Sequence, residues 1–308
     1  MKSAVILTAH GTVDDLDDLA PFIANIRRGH APPAAIVDEV RRRYEAIGGK
    51  SPLFEHTRAL AEKVQARLGV PVKIAMRLWH PYPHEVVPAL AREGVRQIGV
   101  VPLAQFSSSI YVDAIAKAAS AVDPAIIVKG PPNWGSNEGL VKAQAKRVQD
   151  ALDMLSPEAR LHAMIVFSAH SLPKFLIDQG DAYEKDFRAS VELIVRELGP
   201  QAPPHLIAFQ SQGLSAPGER QVVWLGPELG PTLDLAKAQG AEHVVFAPVG
   251  FLADHVEVLY DLDLEAAGWA KDRGLGFSRI QSLNAADDFA DVVASLAKPL
   301  LEPTSPGQ

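Results

Sequence analysis

Eight short apolar runs recur along this chain, and most are separated by segments with the period of amphipathic helices. The runs are Ala4–Ala9, Val72–Leu78, Gln97–Val101, Ala125–Lys129, Ala163–Ala169, His205–Gln210, His243–Pro248 and Phe277–Ser282. Helical patterns occupy Ile36–Glu45, Leu53–Leu68, His84–Glu93, Gly139–Leu155, Tyr183–Leu198 and Thr232–Gln239. Strands that alternate with helices in this way form parallel sheets covered on both faces. The expected fold class is α/β, doubly wound.

The two halves also parallel each other. Val5-Ile6-Leu7-Thr8-Ala9-His10 matches Ile165-Val166-Phe167-Ser168-Ala169-His170, each a buried-type strand that ends in Ala-His. Likewise Val100 through Phe106 matches Phe246 through Phe251. Two similar lobes are therefore expected, residues 1–134 and 135–308, each a parallel sheet flanked by helices, meeting at the breaker-rich stretch Gly130–Asn137. Ligands of open α/β sheets bind beyond the carboxyl ends of the strands. His10, His80, the Gln105–Ser109 region, His170, Gln210–Gly213 and Asp254–Glu257 should then face one cleft between the lobes.

Composition narrows what that cleft can hold. A net charge of -7, with Lys and Arg spread along the chain, offers no footprint for nucleic acid. The absence of cysteine excludes disulfides, thiolate metal sites and Cys-ligated iron–sulfur clusters, so any metal must be held by nitrogen and oxygen. The first residues read as a strand rather than a signal segment, and no apolar run approaches the ~18 residues of a membrane span. A cytoplasmic location is the expectation, and the polar composition suggests a monomer.

Between Asp254 and Glu265 the chain carries one His and five carboxylates within twelve residues. Read as a strand that turns into a helix, this stretch puts Glu257, Asp261 and Glu265 at i, i+4 and i+8, in one row. In a regular helix each such step drifts by about 40°. A wider, π-type turn would bring all three into register, and such turns occur mostly at functional sites. The like charges repel unless cations or protons sit between them. A solvated acidic face is the commonest origin of a charge run, and it stays open here.

His170 ends its strand in Ser168-Ala169-His170-Ser171-Leu172-Pro173. Histidines at strand ends are more often hydrogen-bonded structural groups than ligands, yet a neutral imidazole can bind a first-row divalent metal or accept a proton. With Glu257 across the cleft it would form a partly open N/O site. Asp254 is read as a helix N-cap and His255 as a supporting group. His80 follows a strand and is placed in the cleft wall; His84 is placed on a helix surface. Arg27-Arg28 and Arg41-Arg42-Arg43 are either solvated helix charges or, beside a cleft, forks for carboxylates. Ser51 would add a hydroxyl. No P-loop, dinucleotide fingerprint or nucleophile elbow is present, which removes the usual support for nucleotide binding or acyl hydrolysis.

Taken together, Ile26-Arg27-Arg28-Gly29, Arg43 through Gly49 with Ser51-Pro52-Leu53, Ser168 through Pro173, Gln210-Ser211, Trp224-Leu225-Gly226-Pro227 and Pro248 through Asp261 resemble the ferrochelatases over nearly the whole chain. These enzymes insert ferrous iron into a porphyrin in haem synthesis, and the wording is closest to the soluble bacterial branch acting on coproporphyrin III. The resemblance implies that His170 and Glu257 are the catalytic metal pair, that Asp261 and Glu265 continue the acidic row, and that His80 is metal-associated. It implies macrocycle contacts for Arg27, Arg43, Tyr44, Ser51 and Tyr111. His10 departs from the pattern: the branch has a Tyr there that faces the metal in the product, and a His would ligate haem iron more strongly. Gln105–Ser109 is shorter than usual, and Leu214–Val223 reads as a small insertion. No cofactor beyond the Fe2+ substrate is expected, and no iron–sulfur cluster. Partners are the porphyrin and Fe2+, with room for transient contact with a membrane or a haem-pathway enzyme.

The expected mechanism bends the macrocycle in the cleft, His170 taking pyrrole protons or delivering iron and Glu257 ligating iron or relaying protons. Two other readings compete. A His plus carboxylate does not choose iron over cobalt, so a related two-lobed cobalt chelatase fits. A non-enzymatic haem or metal carrier would use His10 as an axial ligand.

Overall fold

A computed structural model of the chain describes residues 2–213 and 222–303. Its strands are β1 (Lys2–Ala9), β2 (Val72–Met76), β3 (Val95–Pro102), β4 (Ile127–Lys129), β5 (Ala163–His170), β6 (His205–Gln210), β7 (His243–Ala247) and β8 (Gly276–Arg279). All eight apolar runs are strands. They form two four-stranded sheets, ordered β2-β1-β3-β4 and β6-β5-β7-β8, and every pairing is parallel. The repeated order bears out two similar α/β lobes. The Leu214–Val223 insertion lies mostly outside the described residues.

The helices of the first half are α1 (Leu19–Ile26), α2 (Ala34–Ala46), α3 (Leu53–Leu68), α4 (Pro83–Arg92) and α5 (Ser108–Val122). Those of the second are α6 (Glu138–Asp153), α7 (Pro157–Leu161), α8 (Lys174–Asp178), α9 (Tyr183–Leu198), α10 (Leu229–Ala238), α11 (Val256–Leu259), α12 (Ala267–Asp272) and α13 (Asp287–Ala297). A π-helix, Asp261–Ala266, lies between α11 and α12.

Central strands are buried without alternation, as sheets covered on both faces require: Ala4 to Ala9 and Ala163 to Ala169 are all buried. The edge strands β4 and β8 are only half-covered. The last helix crosses back, so that Phe289, Val293 and Ala297 of α13 pack with Val5, Leu60 and Val101 of the first lobe. Gln97 then donates to the Leu300 carbonyl at 2.7 Å.

Two side chains beyond β3 tie the lobes together. Phe106 leaves the first lobe and packs edge-on against Tyr183 and Phe187 in the core of the second. Gln105 donates to the Val249 carbonyl at 2.9 Å, and Gln144 reaches the same oxygen at 2.9 Å. The Gln105 bond joins the loops after β3 and β7, the matched strands of the two halves, and Gln144 of α6 holds the shared oxygen from within the second half.

Candidate active site

The strand ends converge on a cavity of about 350 Å³ between the lobes. His10 directly follows β1, Arg77 follows β2, His170 closes β5, and Glu257 stands on α11 beyond β7; all four line the cavity. Phe22, Leu53, Phe106, Leu172 and Phe251 supply apolar wall. At its margin Ile26 and Ile110 are each 44% exposed, a greasy lip that suits a flat apolar ligand.

His170 and Glu257 face each other, Nε2 to Oε1, at 3.6 Å. This is an ion-pair separation, longer than a good hydrogen bond. The Nδ1 atom of His170 lies 2.5 Å from the Ser171 carbonyl, which can only accept, so Nδ1 carries a proton and Nε2 is the atom that changes. Desolvation, the largest single influence, pulls the His170 pKa down, but the charge and side-chain contact of Glu257, the Ser171 carbonyl and the Asp261 charge together raise it above the ordinary value. Burial works against ionised Glu257, yet His170, His255 and His10 together hold its pKa down to about 2. The raised pKa favours a second proton at Nε2, facing the carboxylate.

The start of α11 is built to hold Glu257. His255, not Asp254, is the N-cap: its Nδ1 accepts the Glu257 backbone N–H at 3.1 Å. Asp254 is drawn away because Arg279, Ser282 and Asn284 all donate to it. Gln210 donates to the Glu257 carbonyl at 2.9 Å while accepting from Ser168 at 2.8 Å. The Gln210 segment thus anchors the site rather than lining it.

Beyond Glu257 the helix widens. The Glu265 N–H donates to the Tyr260 carbonyl, five residues back, at 3.1 Å, so the π-type turn expected from the carboxylate spacing is present. Asp261 is 4% exposed, accepting from Ser211 at 2.5 Å and from Arg43 at 3.2 Å. Burial is the main force on it, aided by the charges of Glu257 and Glu265 and opposed by Ser211 and Arg43. Its pKa rises to about 7. Arg43 feels both Asp261 and Glu265, which places these two carboxylates about one guanidinium. A cation and a proton relieve the repulsion in the row.

Of the other residues singled out, Tyr44, Ser51 and Tyr111 also line the cavity. Tyr44 shares a 2.9 Å hydrogen bond with Thr12, and Ser51 is fully buried. His10 lines the cavity and is exposed to it; desolvation, reinforced by His170, Arg77 and His255 and opposed by the Glu257 charge, takes its pKa down to about 4. Its imidazole is neutral near pH 7.

Arg27, Arg43 and His80, like Asp261 and Glu265 of the acidic row, are not in the cavity wall. Arg43 is held at 2.8 Å by Glu39 as well as by Asp261, and its guanidinium lies over the Tyr260 ring. Arg27 caps the end of α1, beside the lip residue Ile26. His80 turns outward, where its ring meets Tyr82 and its Nδ1 lies 2.8 Å from Glu85. Several wall residues escaped the sequence reading, among them Thr12, His56, Arg77, Asn284 and Tyr183, the last donating to the His170 carbonyl at 3.0 Å. Arg77 was hidden because the apolar run was read through to Leu78, whereas β2 ends at Met76 and leaves Arg77 beyond the strand, as His10 is beyond β1. Among the described residues, no three His, Asp or Glu side chains close a metal site. The His170–Glu257 pair offers one nitrogen and one carboxylate to a divalent metal in passage.

The chain is similar to a ferrochelatase of Thermus thermophilus, 33% identical over 96% of this chain and 98% of the relative. It is also 33% identical to a coproporphyrin III ferrochelatase of Frankia alni, over 98% of this chain and 81% of the relative. Among solved structures, SirB from Bacillus subtilis with Fe3+ shares the fold at a TM-score of 0.59, with 16% identity over 97% of this chain and 96% of that one. The ferrochelatase family model spans residues 2–300, both sheets and every wall residue of the cavity, and the chain belongs to the ferrochelatase family.

Proposed function

We propose that this chain inserts Fe2+ into coproporphyrin III, through the His170–Glu257 pair and without a further cofactor. The observation that carries the reading is the pair itself: an imidazole nitrogen and a carboxylate 3.6 Å apart in the wall of an apolar, interlobe cavity. Family membership supports iron and a porphyrin as substrates, and relatives named for coproporphyrin III favour that macrocycle over protoporphyrin IX.

Insertion exchanges two pyrrole protons for one divalent ion. His170 takes a pyrrole proton at Nε2 once its own has passed to Glu257, a general-base role. Glu257 then hands protons or receives metal along the row toward Asp261 and Glu265. A carboxyl with a pKa of about 7, as Asp261 has, exchanges protons readily near neutrality. Tyr44, Ser51 and Tyr111 contact the macrocycle, and His10 stands ready for the product iron. Arg27 is assigned to the macrocycle rim and His80 to metal approach from outside. Among the described residues no helix is long and apolar enough to cross a membrane, and the protein is read as a cytoplasmic monomer.

Purified protein mixed anaerobically with Fe2+ or Co2+ and either porphyrin tests the proposal by the absorption bands of the metallated product. Turnover with iron that is faster on coproporphyrin III than on protoporphyrin IX supports it. Turnover with cobalt alone favours the cobalt chelatase, and tight haem binding without turnover favours the carrier.

A further inference from the structure

Arg77 is the one Lys or Arg among the described residues lining the cavity. Elsewhere the buried or half-buried arginines are paired: Arg43 with Glu39 and Asp261, Arg147 with Asp288, Arg279 with Asp254 and Asp263. Arg77 differs. Among the described residues its side chain has no hydrogen bond and no ion pair, and its guanidinium carbon lies 5.9 Å from the centre of the Tyr111 ring. The residue is exposed, so in the empty cavity water solvates the charge.

A flat macrocycle that fills the cavity expels that water. A guanidinium stripped of water with no acceptor is strongly unfavourable, so a ligand that binds well must bring an anion to it. A tetrapyrrole has such anions only at its edge, in carboxylate side chains. The aromatic face of Tyr111 meanwhile holds the guanidinium from one side, and its N–H edge remains free for a planar acceptor.

We propose that Arg77, stacked on Tyr111, receives one carboxylate side chain of the porphyrin and so determines which porphyrins bind. This rests on the reading of the cavity as the porphyrin site. It places a carboxylate contact apart from Arg43, two of whose three guanidinium nitrogens are already engaged by Glu39 and Asp261.

The test is metal-free binding, followed by quenching of porphyrin fluorescence, for wild type, Arg77→Gln and Arg77→Lys. The probes are coproporphyrin III and the same macrocycle with its carboxylates capped as amides carrying hydroxyls for solubility. Arg77→Gln is expected to weaken binding of coproporphyrin III about 10-fold or more, the worth of a charged hydrogen bond. Arg77→Lys recovers part of the loss, and capped porphyrin binds all three proteins alike. In turnover the defect falls on KM rather than kcat. Equal weakening toward both probes, or none, overturns the proposal, as does wild type that binds neither. Wild type that binds with the expected Arg77 dependence but inserts no iron instead defeats the insertion reading and leaves the Arg77 contact standing.

Discussion

His170 and Glu257 meet at 3.6 Å because they stand beyond the ends of neighbouring parallel strands, β5 and β7, and each is locked from behind. The Ser171 carbonyl fixes the His170 ring, and Gln210 fixes the Glu257 backbone. If the pair exchanges protons with the macrocycle, His170→Ala and Glu257→Gln each lower kcat about 10²- to 10⁴-fold, the usual worth of a placed acid or base. Stopped-flow metallation checks this, with porphyrin affinity measured in parallel. A loss confined to affinity would contradict the assignment.

The spacing of that pair depends on a residue with no side chain. Gly250 packs against the end of β5, and its N–H donates to the Ser168 carbonyl at 3.0 Å. A Cβ added to it would lie 2.4 Å from the Ala169 Cβ and 2.5 Å from the Ala169 Cα, so backbone must shift. Gly250→Ala is therefore expected to cost about 1–3 kcal/mol in urea unfolding, the range for overpacking. Because Ala169 adjoins His170, kcat should drop as well. A variant with wild-type stability and turnover would show that the loop has more slack than its contacts indicate.

Asp261 makes stability depend on pH in an uncommon direction. Its pKa rises from 3.8 to about 7, so between these values the folded state holds a proton that the unfolded state has lost. Stability then falls as pH rises through this window, and below it both states are protonated and the penalty vanishes. Asp261→Asn should remove the slope, so that wild type loses ground to the variant from about pH 4 to about pH 8 in urea titrations. The opposite trend would mean that pairing with Arg43 outweighs burial.

Much of the fold could be read because its determinants are local. Each strand is a short β-rich run between breakers, and the π-turn is written into the spacing of Glu257, Asp261 and Glu265. The strand ends His10 and His170 were legible for the same reason. Long-range pairing was not. Arg43 looked available for a substrate carboxylate, but its partner Asp261 is 218 residues away in the chain. Asp254 looked like a cap until Arg279, at the end of β8, and Ser282 and Asn284, in the loop after it, claimed it. His80 shares its motif with the cavity residues, but Glu85 and Tyr82 in the next turn hold it outside. No local pattern marks α13 as returning to the first lobe.

Arg279 joins the two ends of the segment that carries the acidic row. Its fork grips Asp263 in the π-helix at 2.6 and 2.9 Å, and a third nitrogen reaches Asp254, ahead of α11, at 3.0 Å. The Arg279 side chain is 13% exposed and that of Asp254 16%, so truncation strands a carboxylate in poor solvent. Arg279→Ala is expected to cost about 2–3 kcal/mol, the scale of a charged hydrogen bond. Arg279→Lys keeps the charge but cannot span both acids, so it should recover stability better than turnover. Adding Asp254→Asn to Arg279→Ala should cost less than the sum of the single changes, since the stranded charge is then gone. Strict additivity would separate Arg279 from Asp254 and leave the clamp acting through Asp263 alone.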